Sequence, residues 1–176
     1  MKFVATIEAR MTSTRLPGKC LLMVKKKSML EHLVNRLKTT KYIDKIVLAT
    51  TTKATDDILI EEAKKLNIAF FRGSENNVMD RVIKAAKSVK ADVVVEITGD
   101  CPIIDPDLID QAIMIFKQNN VDYVSNCNIR SYPDGMDIQV FKLKTLIKSA
   151  SMTKDALDQE HVTLHIKKNP KIFKHL

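Results

Sequence analysis

Phe3-Val4-Ala5-Thr6-Ile7 leads, through Glu8, into Ala9-Arg10-Met11-Thr12-Ser13-Thr14-Arg15-Leu16-Pro17-Gly18-Lys19. The first five residues are short, apolar and β-prone, so they read as a strand. Met29 to Leu37 reads as a helix. Between them lies a loop with three cations (Arg10, Arg15, Lys19), two small hydroxyls (Ser13, Thr14) and a Pro-Gly turn. In an open α/β sheet, ligands bind outside the carboxyl ends of the strands. A loop of this charge at that place suits a polyphosphate, since Arg offers a planar fork of donors and Lys a mobile point charge. Gly18 lets the backbone come close to such a ligand.

Strands and helices alternate outward from this unit. Ser28 to Thr39 is a helix with Ser28 as N-cap and Glu31 three residues on, a capping-box pattern. Ile43 to Thr50 holds the second strand, and Asp56 caps a helix over Asp57 to Leu66. Ala69 to Arg72 is a third strand, followed by a helix over Val78 to Val89. Asp92 to Ile97 is the apolar run expected of a strand covered on both faces. Pro106 to Gln118 is a helix capped by Asp105, with Pro at its first position. Lys25 to Lys27 forms a turn before the first helix. Such alternation means parallel strands with right-handed crossovers. The expected architecture is a single α/β domain, Rossmann-like and doubly wound around a mainly parallel sheet, with the first and fourth strands adjacent. Later, Tyr132 to Phe141 reads as a turn feeding a strand, while Lys142 to Ser151 and Asp155 to Lys168 are mainly helical.

The loop pattern Ala-Arg-x-x-Ser-Thr-Arg-Leu-Pro-Gly-Lys resembles the nucleotide-binding signature of the sugar cytidylyltransferases. The likeness is greatest to the spore-coat polysaccharide type, with the acylneuraminate and 3-deoxy-manno-octulosonate enzymes more distant. It implies the nucleotide-diphospho-sugar transferase (GT-A-like) fold. It also implies activation of a sugar, an acidic one, as its CMP conjugate for surface polysaccharide synthesis. In that chemistry a sugar hydroxyl attacks the α-phosphate of CTP and pyrophosphate leaves. Arg10, Arg15 and Lys19 then hold the triphosphate, assisted by Ser13, Thr14 and the amides near Ala9. A homodimer is implied as well.

Thr98-Gly99-Asp100-Cys101-Pro102 follows the fourth strand. A carboxylate in such a turn suits Mg²⁺, which takes one or two carboxylates plus substrate phosphates. The matching position in the family is a magnesium aspartate, which makes Asp100 the metal ligand and, with Arg15 and Lys19, catalytic. Thr98 and Gly99 join the nucleotide site. Taken alone, Asp100 is also an ordinary turn residue. Relatives carry an Arg-Gly-Ser and an Asp-Arg pair like Arg72-Gly73-Ser74 and Asp80-Arg81, which places Arg72, Gly73 and Asp80 near the base and ribose; a solvated helix face explains Asp80-Arg81 equally well. Asp134-Gly135-Met136-Asp137 resembles the family's sugar-side stretch, which would set Asp134 and Asp137 on the sugar, although Pro-Asp-Gly is also a strong turn signal. Glu160-His161-Val162-Thr163 resembles a helical segment of the family, with Glu160 and His161 on the substrate and His161 a candidate acid/base, or simply a structural histidine.

Relatives run on past this length with an Asp-x-Pro-Glu-Asp-like stretch, whereas this chain ends at Phe173-Lys174-His175-Leu176. The expectation is one domain over 1–176 lacking that later segment and its carboxylate. Three alternatives follow: a glycosyltransferase of the same fold, an NTP-sugar pyrophosphorylase, and an inactive nucleotide-binding module. Gly99-Asp100-Cys101 lacks the first Asp of the glycosyltransferase Asp-x-Asp motif, which counts against the first.

Composition narrows the classes further. The 176 residues, 45% of them hydrophobic, suit one globular domain. Net charge is +8, from 29 Lys and Arg against 21 Asp and Glu. The lysines are scattered, and no aromatics interleave with them as stacking platforms, so nucleic acid is not the expected partner. No apolar run approaches the roughly 18 residues of a membrane span, and Glu8 ends the short apolar start, so neither a membrane nor a signal peptide is expected and the location is cytoplasmic. Cys20, Cys101 and Cys127 have no disulfide or zinc spacing. Cys101 has no evident base to make it a catalytic thiol.

Overall fold

The structure, a computed structural model, describes residues 1–129 and 131–176. The first strand, β1 (Phe3–Glu8), leads through the basic loop to a short 3-10 turn at Lys19–Leu21. A small hairpin follows, β2 (Met23–Val24) and β3 (Lys27–Ser28), then α1 (Met29–Leu37), β4 (Lys45–Thr51), α2 (Asp57–Lys65), β5 (Ala69–Gly73), α3 (Val78–Ser88) and β6 (Val93–Thr98). The chain continues through α4 (Pro106–Gln118), β7 (Tyr123–Ser125), β8 (Gln139–Lys142), α5 (Leu143–Met152), α6 (Ala156–Glu160) and α7 (Leu164–Lys168).

The main sheet has the order β5-β4-β1-β6-β8-β7. The first four are mutually parallel, and β8 runs antiparallel between β6 and β7. From β1 the chain winds outward through β4 and β5, then returns to place β6 on the other side of β1. The switch point of the fold therefore lies between β1 and β6, where an open α/β sheet leaves a crevice for ligand.

Alternation along the strands builds two apolar layers. Phe3, Ala5, Ile7 and Val95 pack with Leu33 of α1, Leu59 of α2 and Ile113 of α4. Val4, Val47 and Val94 pack on the opposite face with Val82 of α3, Leu146 of α5 and Ile166 of α7. Helices thus cover both faces, as a doubly wound sheet requires. The antiparallel β8 is the one central departure from parallel order.

Local chemistry explains the element ends. Ser28 Oγ accepts the Glu31 amide at 2.9 Å, and Asp105 accepts the Asp107 amide at 2.8 Å, both as N-caps. The Glu31 carboxylate turns toward Lys65 at 3.5 Å, so only half of the expected capping box forms. The three-lysine turn is the tip of the hairpin: Lys25 and Lys26 take φ of 47° and 66°, the left-handed pair that a two-residue hairpin loop demands. Among the described residues no helix is long and apolar enough to cross a membrane.

Candidate active site

The basic loop is tied down at both ends. The Met11 amide donates to Asp56 Oδ1 at 2.8 Å, and the Gly18 amide closes back on the Met11 carbonyl at 2.9 Å. Gly18 has φ +70°, a left-handed conformation that glycine adopts freely. Asp56 is fully buried and also accepts the Thr51 amide and the Thr50 and Thr51 hydroxyls. Its carboxylate does not cap α2, the role expected of it. It fastens the loop to the end of β4 instead. Thr12 Oγ1 donates to Glu75 at 2.8 Å, with Arg10 at 3.7 Å and Lys53 at 2.5 Å from the same carboxylate. The hydrogen bonds from Lys53 and Thr12 hold Glu75 below the usual carboxylate range.

At the end of β6 the Gly99 amide donates to the Glu8 carbonyl at 2.9 Å. The strands approach so closely that a Cβ on Gly99 would sit 2.7 Å from that oxygen and 2.9 Å from the Ala9 Cβ. Asp100 follows and forms an ion pair with Lys19 across the cleft. Burial alone would raise the Asp100 carboxyl; hydrogen bonds from Lys19 and Thr98, with the Lys19 charge, outweigh it and hold the group below its usual range.

A cleft of about 310 Å³ opens between these two turns. Ala9, Arg10, Ser13, Thr14, Arg15 and Lys19 line it from the loop, with Thr98, Gly99 and Asp100 from the β6 turn. Glu160 and His161 close the far side. The helix expected through Glu160 to Thr163 is broken: α6 ends at Glu160, and His161 caps it with φ −102°. That break presents Glu160 and His161 together to the cleft. A second hollow of about 370 Å³ shares Glu8, Val78, Thr98, Glu160 and His161 with the first. It continues along Glu96, Gln139, Thr163 and Lys167.

Several other candidates lie elsewhere. Arg72 donates to the Thr51 and Lys53 carbonyls at 2.8 and 2.7 Å and pairs with Asp57 at 2.6 Å, bracing β5 against the start of α2. Gly73 packs under Arg81, whose Cγ would lie 3.0 Å from a Cβ there. Asp80 pairs with Lys84 one turn along α3 at 2.7 Å. Asp134 and Asp137 are exposed on the segment between β7 and β8 and line neither hollow. Asp137 nevertheless stands near Cys101. Burial first, then the Asp100 and Asp137 charges, push the Cys101 thiol up, against its hydrogen bond with Thr98. A thiol kept protonated is a poor nucleophile.

Arg81, read from the sequence only as one of the Asp80-Arg81 pair, reaches the cleft, and two further groups, Glu8 and Glu96, were not singled out from the sequence. Arg81 is 2% exposed, donates through Nη1 to the Ser74 carbonyl, and leaves Nε without a hydrogen-bond partner. Glu8 and Glu96 lie on adjacent strands and on one face, because Thr6 pairs with Glu96 and Glu8 with Thr98. The polar members of Val4-x-Thr6-x-Glu8 and Val94-x-Glu96-x-Thr98 were the available signal. Burial pushes Glu96 up to about 7, with Lys167 acting against it. Burial and the Glu96 charge push Glu8 well above its usual value, offset in part by Arg81.

These shifts fix a sign. The folded chain keeps protons on this pair that the unfolded chain releases near 4.5, so stability falls as pH rises from about 4.5 to about 7 through Glu96, and Glu8 acts in the same direction. Thermal melts of Glu8→Gln/Glu96→Gln are expected to be flatter than wild type across that window. A parallel decline in both proteins would contradict the assignment.

Among the described residues no group of three or more His, Cys, Asp or Glu could enclose a metal. Asp100, its side chain 39% exposed at the cleft mouth, offers a single hard oxygen ligand. That donor set fits Mg²⁺ completed by phosphates and water.

Residues 4–176 match the family model described as cytidylyltransferase. An uncharacterized protein of Methanocaldococcus jannaschii is 41% identical over 174 residues, covering 99% of this chain and 70% of that protein. The spore coat polysaccharide biosynthesis protein SpsF of Bacillus subtilis is 38% identical over 175 residues, covering 96% and 71%. A solved cytidylyltransferase structure from Leptospira borgpetersenii superimposes with a TM-score of 0.95 at 37% identity, covering 99% of this chain and 74% of that one.

Proposed function

The chain belongs to the cytidylyltransferase family, a family of nucleotidyltransferases, and from that premise we propose that it moves the cytidylyl group of CTP onto a sugar hydroxyl, with Mg²⁺ and with release of pyrophosphate. The observation that carries this reading is the meeting of the Arg10–Lys19 loop with the Asp100 turn in one cleft, at the switch point between β1 and β6.

Such a transfer depends on positioning and on neutralising phosphate charge. Arg10, Arg15 and Lys19 bind the triphosphate, and Ser13 and Thr14 add hydroxyl donors. Before nucleotide enters, Arg10 faces Glu75 and Lys19 is paired with Asp100. The triphosphate therefore takes two cations from their carboxylate partners. With Lys19 released, the Asp100 oxygens would be the ligands for Mg²⁺, which would supply neutralisation of the phosphate charge. The loop does not need to reorganise, because Asp56 and the Gly18 closure hold it in place. The acceptor lies in the second hollow. Glu160 and His161 stand on the wall common to both halves, and His161 takes the proton of the attacking hydroxyl.

Arg15 tests this reading, since its side chain is exposed and its removal leaves the core untouched. Arg15→Ala is expected to weaken CTP binding by about 10- to 100-fold in calorimetry, the loss typical of a charge-assisted hydrogen bond, with no change in melting temperature. Unchanged CTP affinity would remove the loop from the nucleotide site.

A further inference from the structure

Arg81 reaches the cleft from the first turn of α3, one turn after Val78, which lines the same wall. It is 2% exposed, and its stem passes over Gly73, where a Cβ would meet the Arg81 Cγ at 3.0 Å. Nη1 donates to the Ser74 carbonyl and, at 3.4 Å, to the Glu75 carbonyl. These bonds anchor the guanidinium to the segment that follows β5. Among the described residues, Nε and Nη2 have no hydrogen-bond partner. In a planar guanidinium, the Nε–H and the neighbouring Nη2–H point the same way, as a fork of two parallel donors. Buried donors without acceptors are costly, so an unpaired fork on a cleft wall marks a place for a ligand.

The charge of Arg81 is already balanced. Burial pulls the guanidinium below its ordinary value; Glu8 opposes that, Arg10 adds to it, and Asp56 and Glu75 oppose it. Among the described residues none of these three carboxylates forms a salt bridge with Arg81, so they compensate its charge and leave the fork free. The group that fits is therefore neutral, with two acceptors side by side. Cytosine has that edge, since its ring N3 and its carbonyl O2 are adjacent acceptors. Uracil carries N3–H at the same place and would set donor against donor. No purine Watson–Crick edge carries two adjacent acceptors. Val78 offers the ring an apolar neighbour. Arg72, the arginine expected at the base, is held by Thr51, Lys53 and Asp57 instead.

Resting on the cytidylyl-transfer reading above, we propose that Arg81 selects the base: its Nε and Nη2 donate to the N3 and O2 pair of cytosine, and this fork separates CTP from UTP. Arg10, Arg15 and Lys19 hold the phosphates, which all four nucleotides share. Discrimination therefore falls to the group that meets the ring, and a site built to hydrogen-bond an edge rejects the analogue that lacks it.

The test reads base selection by calorimetry on the full chain with Mg²⁺. The ligands are CTP, UTP, 3-deazacytidine triphosphate, which has C–H in place of N3, and inorganic tripolyphosphate, which has no base. The wild type is expected to bind CTP about 10- to 100-fold more tightly than UTP or the deaza compound, the discrimination of one bidentate arginine contact. Arg81→Lys keeps the charge but loses the fork, so CTP falls to the level of UTP while tripolyphosphate binds as in wild type. An arginine that only braced the fold would weaken every ligand alike and leave the CTP-to-UTP ratio unchanged. Equal binding of CTP and the deaza compound by the wild type, or a CTP-to-UTP ratio untouched by Arg81→Lys, overturns the proposal. The deaza comparison needs no substitution, so it decides the matter even if Arg81→Lys does not fold. If no triphosphate binds, the cytidylyl-transfer reading falls and this proposal with it. If CTP binds without dependence on N3, this proposal alone falls.

Discussion

Asp100→Asn is expected to lower pyrophosphate release by roughly 100- to 1000-fold while leaving metal-free CTP binding intact or tighter. The two effects have one cause. Asp100 holds Lys19 in an ion pair within the cleft. Asn keeps the shape of the side chain but loses the charge, so it is a poor ligand for a hard cation. It also releases Lys19 to meet the triphosphate sooner. Calorimetry with and without Mg²⁺ separates the two consequences: the Mg²⁺ dependence of CTP binding collapses and the metal-free affinity does not. A variant with the Mg²⁺ dependence of wild type would show that Asp100 is only a turn residue.

Gly99→Ala is expected to cost about 2–4 kcal/mol of stability and to abolish CTP binding. A Cβ at this position would meet the Glu8 carbonyl oxygen at 2.7 Å and the Ala9 Cβ at 2.9 Å. Neither neighbour is the far end of a flexible side chain, so the ends of β1 and β6 must part. The Gly99 to Glu8 hydrogen bond opens with them, and the Arg10 loop moves away from Asp100. For a domain of this size the melting temperature should fall by about 5–10 °C. Gly135→Ala is the control: it has φ +90° but no atom within 4 Å of a Cβ, so only local strain follows, about 1 kcal/mol. Equal losses in both variants would mean that the β1–β6 junction has no special role.

Much of this architecture was legible because neighbouring residues determine it. The α4 start is an Asp followed by Pro, which cannot be mistaken for mid-helix, and the structure begins α4 at Pro106. The basic loop was legible because its cations follow a strand directly, and the switch point depends only on strand order. What was obscured depends on contacts distant in sequence. Asp56 looked like a cap because it precedes a helix; Met11, 45 residues away, claims its carboxylate. Arg72 looked free to meet a base, yet the carbonyls of the β4–α2 loop and Asp57 engage it. Asp80 and Arg81 are adjacent, but the turn of α3 sends one to Lys84 at the surface and the other into the cleft.

Glu8 and Glu96 show the same limit most plainly. Each is one polar member of an otherwise apolar strand, and that local alternation does not say what it meets. Only the parallel register of β1 with β6 brings the two carboxylates to one face, beside the second hollow. The antiparallel β8 contributes as well, since Gln139 lies opposite Glu96 in that pairing. Lys25 and Lys26 were a turn for a reason composition does not reveal: two left-handed lysines join strands of two residues each.

The central claim is that the cleft between β1 and β6 holds CTP with Mg²⁺ between the Arg10–Lys19 loop and Asp100. The measurement that tests it most directly is the thermal shift of the purified chain with CTP, UTP, ATP and GTP, each with and without Mg²⁺. Stabilisation by CTP above the other three, strengthened by Mg²⁺ and lost in Arg15→Ala, is the predicted result. No stabilisation by any nucleotide, or an equal response to all four that survives Arg15→Ala, would contradict it.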